Sequence, residues 1–363
     1  MTRKPTPSPG PHKRPTLADV ARRAGCSTAL VSKVVNGSNS NCGASAKRAE
    51  AIQRAVEDLG YQPSFASQSL ARQSTRTIGV YVPAREDASF SDPYESRVLR
   101  GVEKACQQHH HDWLAINLAG DAGPKACRRR LDQRRIDGLL LLHVDHDVTW
   151  IGPLAEAGSR LAAVNFFGDV PGLHTINFDG AAAVRLAMDH LTGLGHRRIG
   201  YLGVLADEGP GGLERADAYR RAMRDAGLSI DERCFIDHAN PVLAAESDPR
   251  FETGVEGAIA YLMNLDRRHW PTALVCYGDY LALRLLGALH DAGIDVPGQI
   301  SVVGIDNDPG CELVRPQLTT VNQPLEAMGH AAALHLIQAD ASTPDLSPEL
   351  VARASTAAVS ARC

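Results

Sequence analysis

The chain has 363 residues, 44% of them apolar and 22% charged, which is room for two or three ordinary domains and the composition of a water-soluble protein. No apolar run approaches the roughly 18 residues that a membrane span needs. The formal charge of −4 conceals a division: the first 76 residues hold 12 Lys and Arg against 4 Asp and Glu, a basic head of +8, and the rest holds 26 against 38, an acidic body of −12. Such a head suits a polyanion, while the body stays soluble and off it.

In chain order, residues 1–15 (MTRKPTPSPGPHKRP) lack the apolar core of a secretory signal and read as a disordered basic tail. Residues 16–62 read as a small helical domain. In TLADVARRAG, Leu17, Val20, Ala21 and Ala24 repeat at helical spacing, with Thr16 as N-cap and Gly25 as stop. Ser27 opens a second helix, TALVSKVVN, that turns Val31, Val34 and Val35 inward and Ala29, Ser32, Lys33 and Asn36 outward. Two short helices on a tight turn, the second with a small, polar and cationic outer face, predict a helix-turn-helix that enters the major groove. A third helix, capped by Ser45, stacks Ile52, Ala55, Val56 and Leu59 and stops at LGYQP.

Residues 63–76 form a linker. Its core, Ser64–Arg72, is long enough for two helical turns around one isolated leucine, Leu70, and a helix that short is marginal alone in water. From Thr77 to the end, short apolar runs alternate with helical stretches. IGVYV, DWLAINL, GLLLL, LAAVNF, RIGYLG, TALVCY and ISVVGI read as buried parallel strands. RVLRGVEKACQQ, AAAVRLAMDHLTGL, LERADAYRRAMRDAG and DYLALRLLGALHDAG read as covering helices, so the body is α/β with open sheets. In such sheets a ligand sits outside the strand carboxyl ends. Asp279 follows TALVCYG there, Asp306 ends ISVVGI, and Arg215 starts a helix after a Gly-rich loop.

The motifs TLADVARRAGCSTALVSKVVNG, LGYQPS, QSLARQSTRTIGV, LRGVEKAC, RRIDGLLLL, HLTGLGHRRIGYLG, DVPGQISVVGIDN, LTTVNQPLEAMG and ELVARASTA occur in order from Thr16 to near the end of the chain, and only the tail before Thr16 lies outside them. Together they resemble the LacI/GalR family of bacterial transcription regulators. That resemblance implies an all-α helix-turn-helix head with a hinge helix, and a body of two doubly wound parallel-sheet subdomains like those of a periplasmic sugar-binding protein. The chain would cross between the subdomains three times. The boundaries expected are about 77–195 with 324–340 for the N-subdomain, and about 196–323 with 350–359 for the C-subdomain.

The resemblance also implies partners: double-stranded operator DNA, a small-molecule effector such as a sugar or related metabolite, and a second copy in a homodimer or a tetramer. DNA would be met by Thr16, Ser27, Thr28, Ala29, Ser32, Lys33, Asn36, Ser67 and Leu70, with Leu70 wedged into the minor groove once two hinge helices pair on DNA. The effector would be met by Tyr94, Arg215, Asp279, Asp306 and Gln323 in the cleft. Three departures stand out: Lys33 where the family has arginine, Leu30 where it has threonine, and Asp279 where it has asparagine. The turn SNSNCGA and the run Asp237–Phe251 are also longer than usual.

No cofactor, metal site or enzymatic constellation is expected. The eight cysteines (26, 42, 106, 127, 234, 276, 311 and 363) are scattered without a C-x-x-C pair, which predicts reduced thiols in a cytoplasm. His109–His111 ends a helix and reads as a solvated face, and His143 to Asp147 lies on a post-strand loop. No P-loop or GxSxG is present. A ligand-independent DNA-binding regulator would keep the head without a pocket. An exported sugar-binding protein would share the body but have no use for the head.

Overall fold

The structure, a computed structural model, describes residues 14–36, 45–83, 93–118, 122–144, 149–203, 210–236, 255–338, 342 and 344–359. Backbone contacts divide the chain into two units, Met1–Arg76 and Thr77–Cys363. The basic tail (all but its last two residues), the turn SNSNCGA, Asp145–Asp147 and the run Asp237–Phe251 lie outside the described residues.

In the first unit, α1 (Leu17–Ala24) starts on a reciprocal capping box. Thr16 Oγ1 accepts from the Asp19 N–H at 3.3 Å, and the Asp19 carboxylate takes the Thr16 N–H at 3.0 Å. Gly25 ends it at φ +62°, a conformation open to glycine without steric cost. Ser27 Oγ accepts from Leu30 N–H to begin α2 (Thr28–Val35). For α3 (Ala46–Leu59), Ser45 stands at the N-cap position but its hydroxyl makes no capping bond. Val20, Ala21, Val31, Ile52, Ala55 and Tyr61 form the core, with Val34, Val35, Val56 and Leu59 packed around them. Ser64 caps α4 (Phe65–Arg72), no residue of which is buried.

The second unit runs β1 (Thr77–Tyr81), α5 (Pro93–Gln108), β2 (Asp112–Ile116), α6 (Ala122–Asp132), β3 (Gly138–Leu142), α7 (Gly152–Glu156), β4 (Arg160–Val164), β5 (Leu173–Ile176), α8 (Gly180–Gly193), β6 (Ile199–Leu202), α9 (Pro210–Asp225), β7 (Phe235–Ile236), α10 (Val255–Asn264), β8 (Ala273–Cys276), α11 (Asp279–Asp291), β9 (Ser301–Asp306), α12 (Gly310–Leu313), β10 (Thr319–Asn322), α13 (Leu325–Ile337) and β11 (Glu349–Val351). One sheet has the order β2-β1-β3-β4-β5 and the other β11-β10-β9-β8-β6-β7. All pairs are parallel except β10 with β11. Runs such as GLLLL are buried along their whole length, as parallel strands covered on both faces require.

After β10 the chain returns to the first sheet through α13, which packs against α5. The two helices touch backbone to backbone. A Cβ at Gly101 would collide with the carbonyl of Glu326, and one at Gly329 with that of Val98.

One expected boundary needs correction. The sequence reading puts residues 180–195 in the N-subdomain, yet α8 packs on α9 and on the strands of the second sheet. The first crossing therefore falls between β5 and α8, near Asn177–Asp179, and not at the glycine turn near 195. The cause is β5, the last strand of the first sheet, whose LHTI alternates too weakly to announce itself as a strand.

Candidate DNA-binding surface and effector site

On α2 the exposed side chains are Thr28, Ala29 and Lys33, with the Ser27 cap beside them. Ser32 and Asn36 are half-buried and joined by a 3.2 Å hydrogen bond from Asn36 Nδ2 to Ser32 Oγ. Leu30, at the position of a departure, packs against the head's core, so the side chain there contributes to folding. Three arginines of the head are already paired: Arg22 with Asp19, Arg23 with Asp58 and Arg54 with Glu50. Lys33 has no ion pair among the described residues. On α4, Ser67 Oγ lies 2.7 Å from Ser64 Oγ, and Leu70 is 81% exposed. An apolar side chain so uncovered gives the hinge no stability of its own.

In the body, the carboxyl ends of the strands converge. Arg215, on α9, is buried and charged; its Nη1 donates to the carbonyl of Tyr277 and its Nη2 to Gln323 Oε1 at 3.3 Å. Its guanidinium lies 4.5 Å from the ring centre of Tyr277 and 5.9 Å from that of Phe178. Gln323 is fully buried where β10 gives way to α13. Helix α5 supplies Tyr94, whose hydroxyl accepts from Asn165 Nδ2 at 2.8 Å and whose ring lies 4.9 Å from that of His143. His143 faces the buried Glu95 at 3.4 Å.

Asp306 ends β9 at φ +124°, and His143 and Asn165 come directly after β3 and β4 at φ +51° and +54°. Three non-glycine residues in that region, all at strand ends, mark a place where the fold holds its backbone against preference. Burial pushes the Asp306 carboxyl well above the usual range; Arg215 pulls it down, the Asp279 charge pushes it up, and neither reverses the direction. Burial likewise raises the Tyr94 phenol, and the Asn165 bond opposes it.

The structure thus brings Tyr94, Arg215, Asp306 and Gln323 together. Asp279 it places otherwise. Both carboxylate oxygens are taken inside the fold: Oδ1 accepts from Thr320 Oγ1 at 2.7 Å, and Oδ2 accepts from Asp308 N–H at 2.8 Å and Cys311 Sγ–H at 3.0 Å. Its work is to tie α11 to β10 and α12.

Sequence reasoning missed Arg97. From α5 it donates Nη1 to the Asp306 carbonyl at 2.6 Å and Nη2 to the Gln323 carbonyl at 3.2 Å, pinning the first sheet's helix to two strand ends of the second. Nothing in RVLRGVEKACQQ sets it apart from a solvated helix charge. Asn165 was findable, since it comes directly after a buried strand.

Among the described residues, no group of three His, Cys, Asp or Glu side chains is placed to hold a metal. No helix there is long and apolar enough to cross a membrane. Cys26, Cys106, Cys127, Cys234, Cys276 and Cys311 carry free thiols.

Two family models match the chain: bacterial regulatory proteins, lacI family, over residues 16–64, and a periplasmic binding protein-like domain over residues 188–356. The HTH-type transcriptional repressor PurR of Photobacterium profundum is 31% identical over 348 residues, 94% of this chain and 98% of that protein. The chain belongs to the lacI family. A second lacI-family relative, the repressor PurR of Yersinia pestis bv. Antiqua (strain Antiqua), is 30% identical over 94% of this chain and 97% of its own length. Among solved structures, a transcriptional regulator CelR–cellobiose complex is 26% identical, covers 94% of this chain and 100% of its own, and superimposes with a TM-score of 0.63. The lac repressor dimer bound to operator and the anti-inducer ONPF shares the fold at a TM-score of 0.76 and 24% identity, over 95% of this chain and 100% of that one. This lacI-family chain is a DNA-binding transcription regulator with a ligand-binding body.

Proposed function

We propose that this regulator is a cytoplasmic repressor that binds its operator as a homodimer and releases or grips it according to a small metabolite in the body's cleft, a sugar or a related polyhydroxylated compound. The observation that carries this reading is the convergence of Arg215, Asp306, Gln323 and Tyr94 from four separate segments on one buried place. A guanidinium supplies donors and a carboxylate supplies acceptors, the pair that vicinal hydroxyls need, while Tyr94, Phe178 and Tyr277 offer ring faces to an apolar edge. The cellobiose-bound relative supports the ligand class. Because Asp279 is occupied by Thr320, Asp308 and Cys311, discrimination among ligands rests on Arg215 and Asp306.

On the DNA side, Thr28, Ala29 and Lys33 read base edges, Thr16, Ser27, Ser32 and Asn36 sit at or beside the groove, and Ser67 and Leu70 act on the central step. The hinge passes straight into β1 through Arg76 and Thr77, so a cleft that closes on ligand changes how two hinges approach. The experiment is a thermal-shift screen of the full chain against sugars, sugar phosphates, nucleobases and organic acids, followed by operator binding with and without each hit. A hit that raises the midpoint and alters operator affinity is expected. A screen with no hit, on a protein that still binds its operator, overturns ligand control in favour of a ligand-independent regulator.

A further inference from the structure

The body is acidic as a whole, yet six of its 26 basic residues fall between positions 125 and 135, KACRRRLDQRR, against a single acid, Asp132. The segment is α6 and the turn after it. Ala126 and Cys127 are buried, and Lys125, Arg128, Arg129, Arg134 and Arg135 are exposed. Arg128, Arg129, Arg134 and Arg135 make no ion pair and no side-chain hydrogen bond among the described residues. Arg129 and Arg130 lie in the helix's last turn, where the macrodipole favours cations. That accounts for those two and leaves Arg128, Arg134 and Arg135 unexplained.

The placement of the segment gives these charges a direction. Gly123, near the start of α6, packs against Tyr81 at the carboxyl end of β1. The chain then runs back to the amino-terminal end of β1, where Asp137 N–H donates to the carbonyl of Thr77 at 2.8 Å. Thr77 is the first residue of the body and is bonded directly to the last residue of the hinge segment. The arginine-rich turn is therefore at the amino-terminal end of the strands, where the chain enters the body from Arg76. Arg134 stands at φ +50°, with its N–H on the Leu131 carbonyl and the Arg135 N–H on that of Arg130. Helices end this way on glycine, which enters that region without steric cost; here an arginine takes the position.

We propose that Arg128, Arg129, Arg134 and Arg135 form a second DNA-contacting surface, on the body, that grips the sugar–phosphate backbone flanking the operator. Phosphates are the anions that such a row of unpaired guanidiniums fits, and a duplex held by the head supplies them beyond each half-site. The contact is independent of sequence, so it adds affinity and salt dependence, not base preference. It rests on the chain being a DNA-binding regulator and extends the footprint past the groove-reading helix.

The test uses the full chain and two duplexes centred on the operator returned by in vitro selection, one of about 20 base pairs covering only the half-sites and one of about 45. Affinities are read across a salt series for wild type and for the variant carrying Arg128→Gln, Arg129→Gln, Arg134→Gln and Arg135→Gln. On the longer duplex the variant binds at least about tenfold more weakly at about 0.1 M salt, with a log–log salt slope shallower by about one for each phosphate no longer neutralised. On the shorter duplex the two proteins bind alike. Arg134→Gly alone removes a charge while relaxing the backbone, and it gives up a share of the same slope if the fourfold variant does not fold. Equal slopes and affinities on the longer duplex overturn the proposal and leave the arginines solvated or turned to another anionic partner. An equal loss on both duplexes also overturns it, because the defect then lies in the head. A wild type that binds neither duplex sinks the regulator reading itself.

Discussion

Thr320 donates its hydroxyl to Asp279 at 2.7 Å, joining the start of α11 to β10 inside the body. Both residues are buried, and Asp308 and Cys311 complete the carboxylate's set of donors. Removing one donor leaves a buried carboxylate oxygen short of a partner, and hydrogen bonds to charged groups are the expensive ones to lose. Thr320→Val, which keeps the shape, should cost the body about 1–3 kcal/mol in chemical denaturation. Affinity for effector should change little. An unchanged stability would mean that water or a neighbour replaces the hydroxyl.

Lys33 is the cation on the outer face of α2. Lys33→Ala should weaken operator binding by about tenfold to a hundredfold while random duplex is bound nearly as before, because a base-edge contact discriminates and a phosphate contact does not. Electrophoretic competition between the two duplexes measures the ratio. Equal losses on both would reduce Lys33 to a phosphate contact.

Leu70 projects from a helix with no buried residue. Leu70→Ala should therefore lower operator affinity and leave the calorimetric melting of the protein where it was. A melting temperature that drops by several degrees, with DNA binding intact, would show the leucine to be packed.

The head was legible because its signals are local: a threonine N-cap, glycine stops, and apolar spacing that matches one helical face. The buried runs of the two sheets were legible for the same reason. What stayed hidden depends on partners distant in sequence. TTVN does not look like a central strand, since its Thr319 and Thr320 are buried only because Asp279, Ser355 and Thr356 receive or offer their hydrogen bonds. Asp279 looked like a ligand anchor because it follows a strand end, and no local pattern shows that residues 308, 311 and 320 have claimed it. Arg97 is silent for the same reason, its two acceptors lying more than 200 residues away.

Asp306 gives the body a pH dependence whose sign can be worked out. Its carboxyl is held above the ordinary range by burial, so between about pH 4 and its own titration the unfolded chain has released a proton that the folded chain keeps. The stabilisation is fully present below about pH 4 and is lost as pH rises through the folded-state pKa. Asp306→Asn should flatten the fall in thermal midpoint over that range relative to wild type. Parallel curves for the two proteins would place the titration elsewhere.

Arg215 ties the effector reading to the DNA reading. Its bonds to the Tyr277 carbonyl and Gln323 Oε1 hold it at the meeting point of three strand ends, beside Asp306. Arg215→Ala should leave operator affinity near the wild-type value and abolish the response to ligand, because it removes an anchor in the body and nothing in the head. Allosteric coupling is typically about 1–3 kcal/mol and is reciprocal: whatever factor the ligand applies to operator binding, the operator must apply to ligand binding. Calorimetry of the ligand with wild type and Arg215→Ala, each with and without operator, reads both quantities at once. An unchanged ligand affinity in the mutant removes Arg215 from the site. A wild-type affinity that is the same with and without operator sinks the coupled hinge, since a ligand that does not distinguish the two states cannot shift the balance between them.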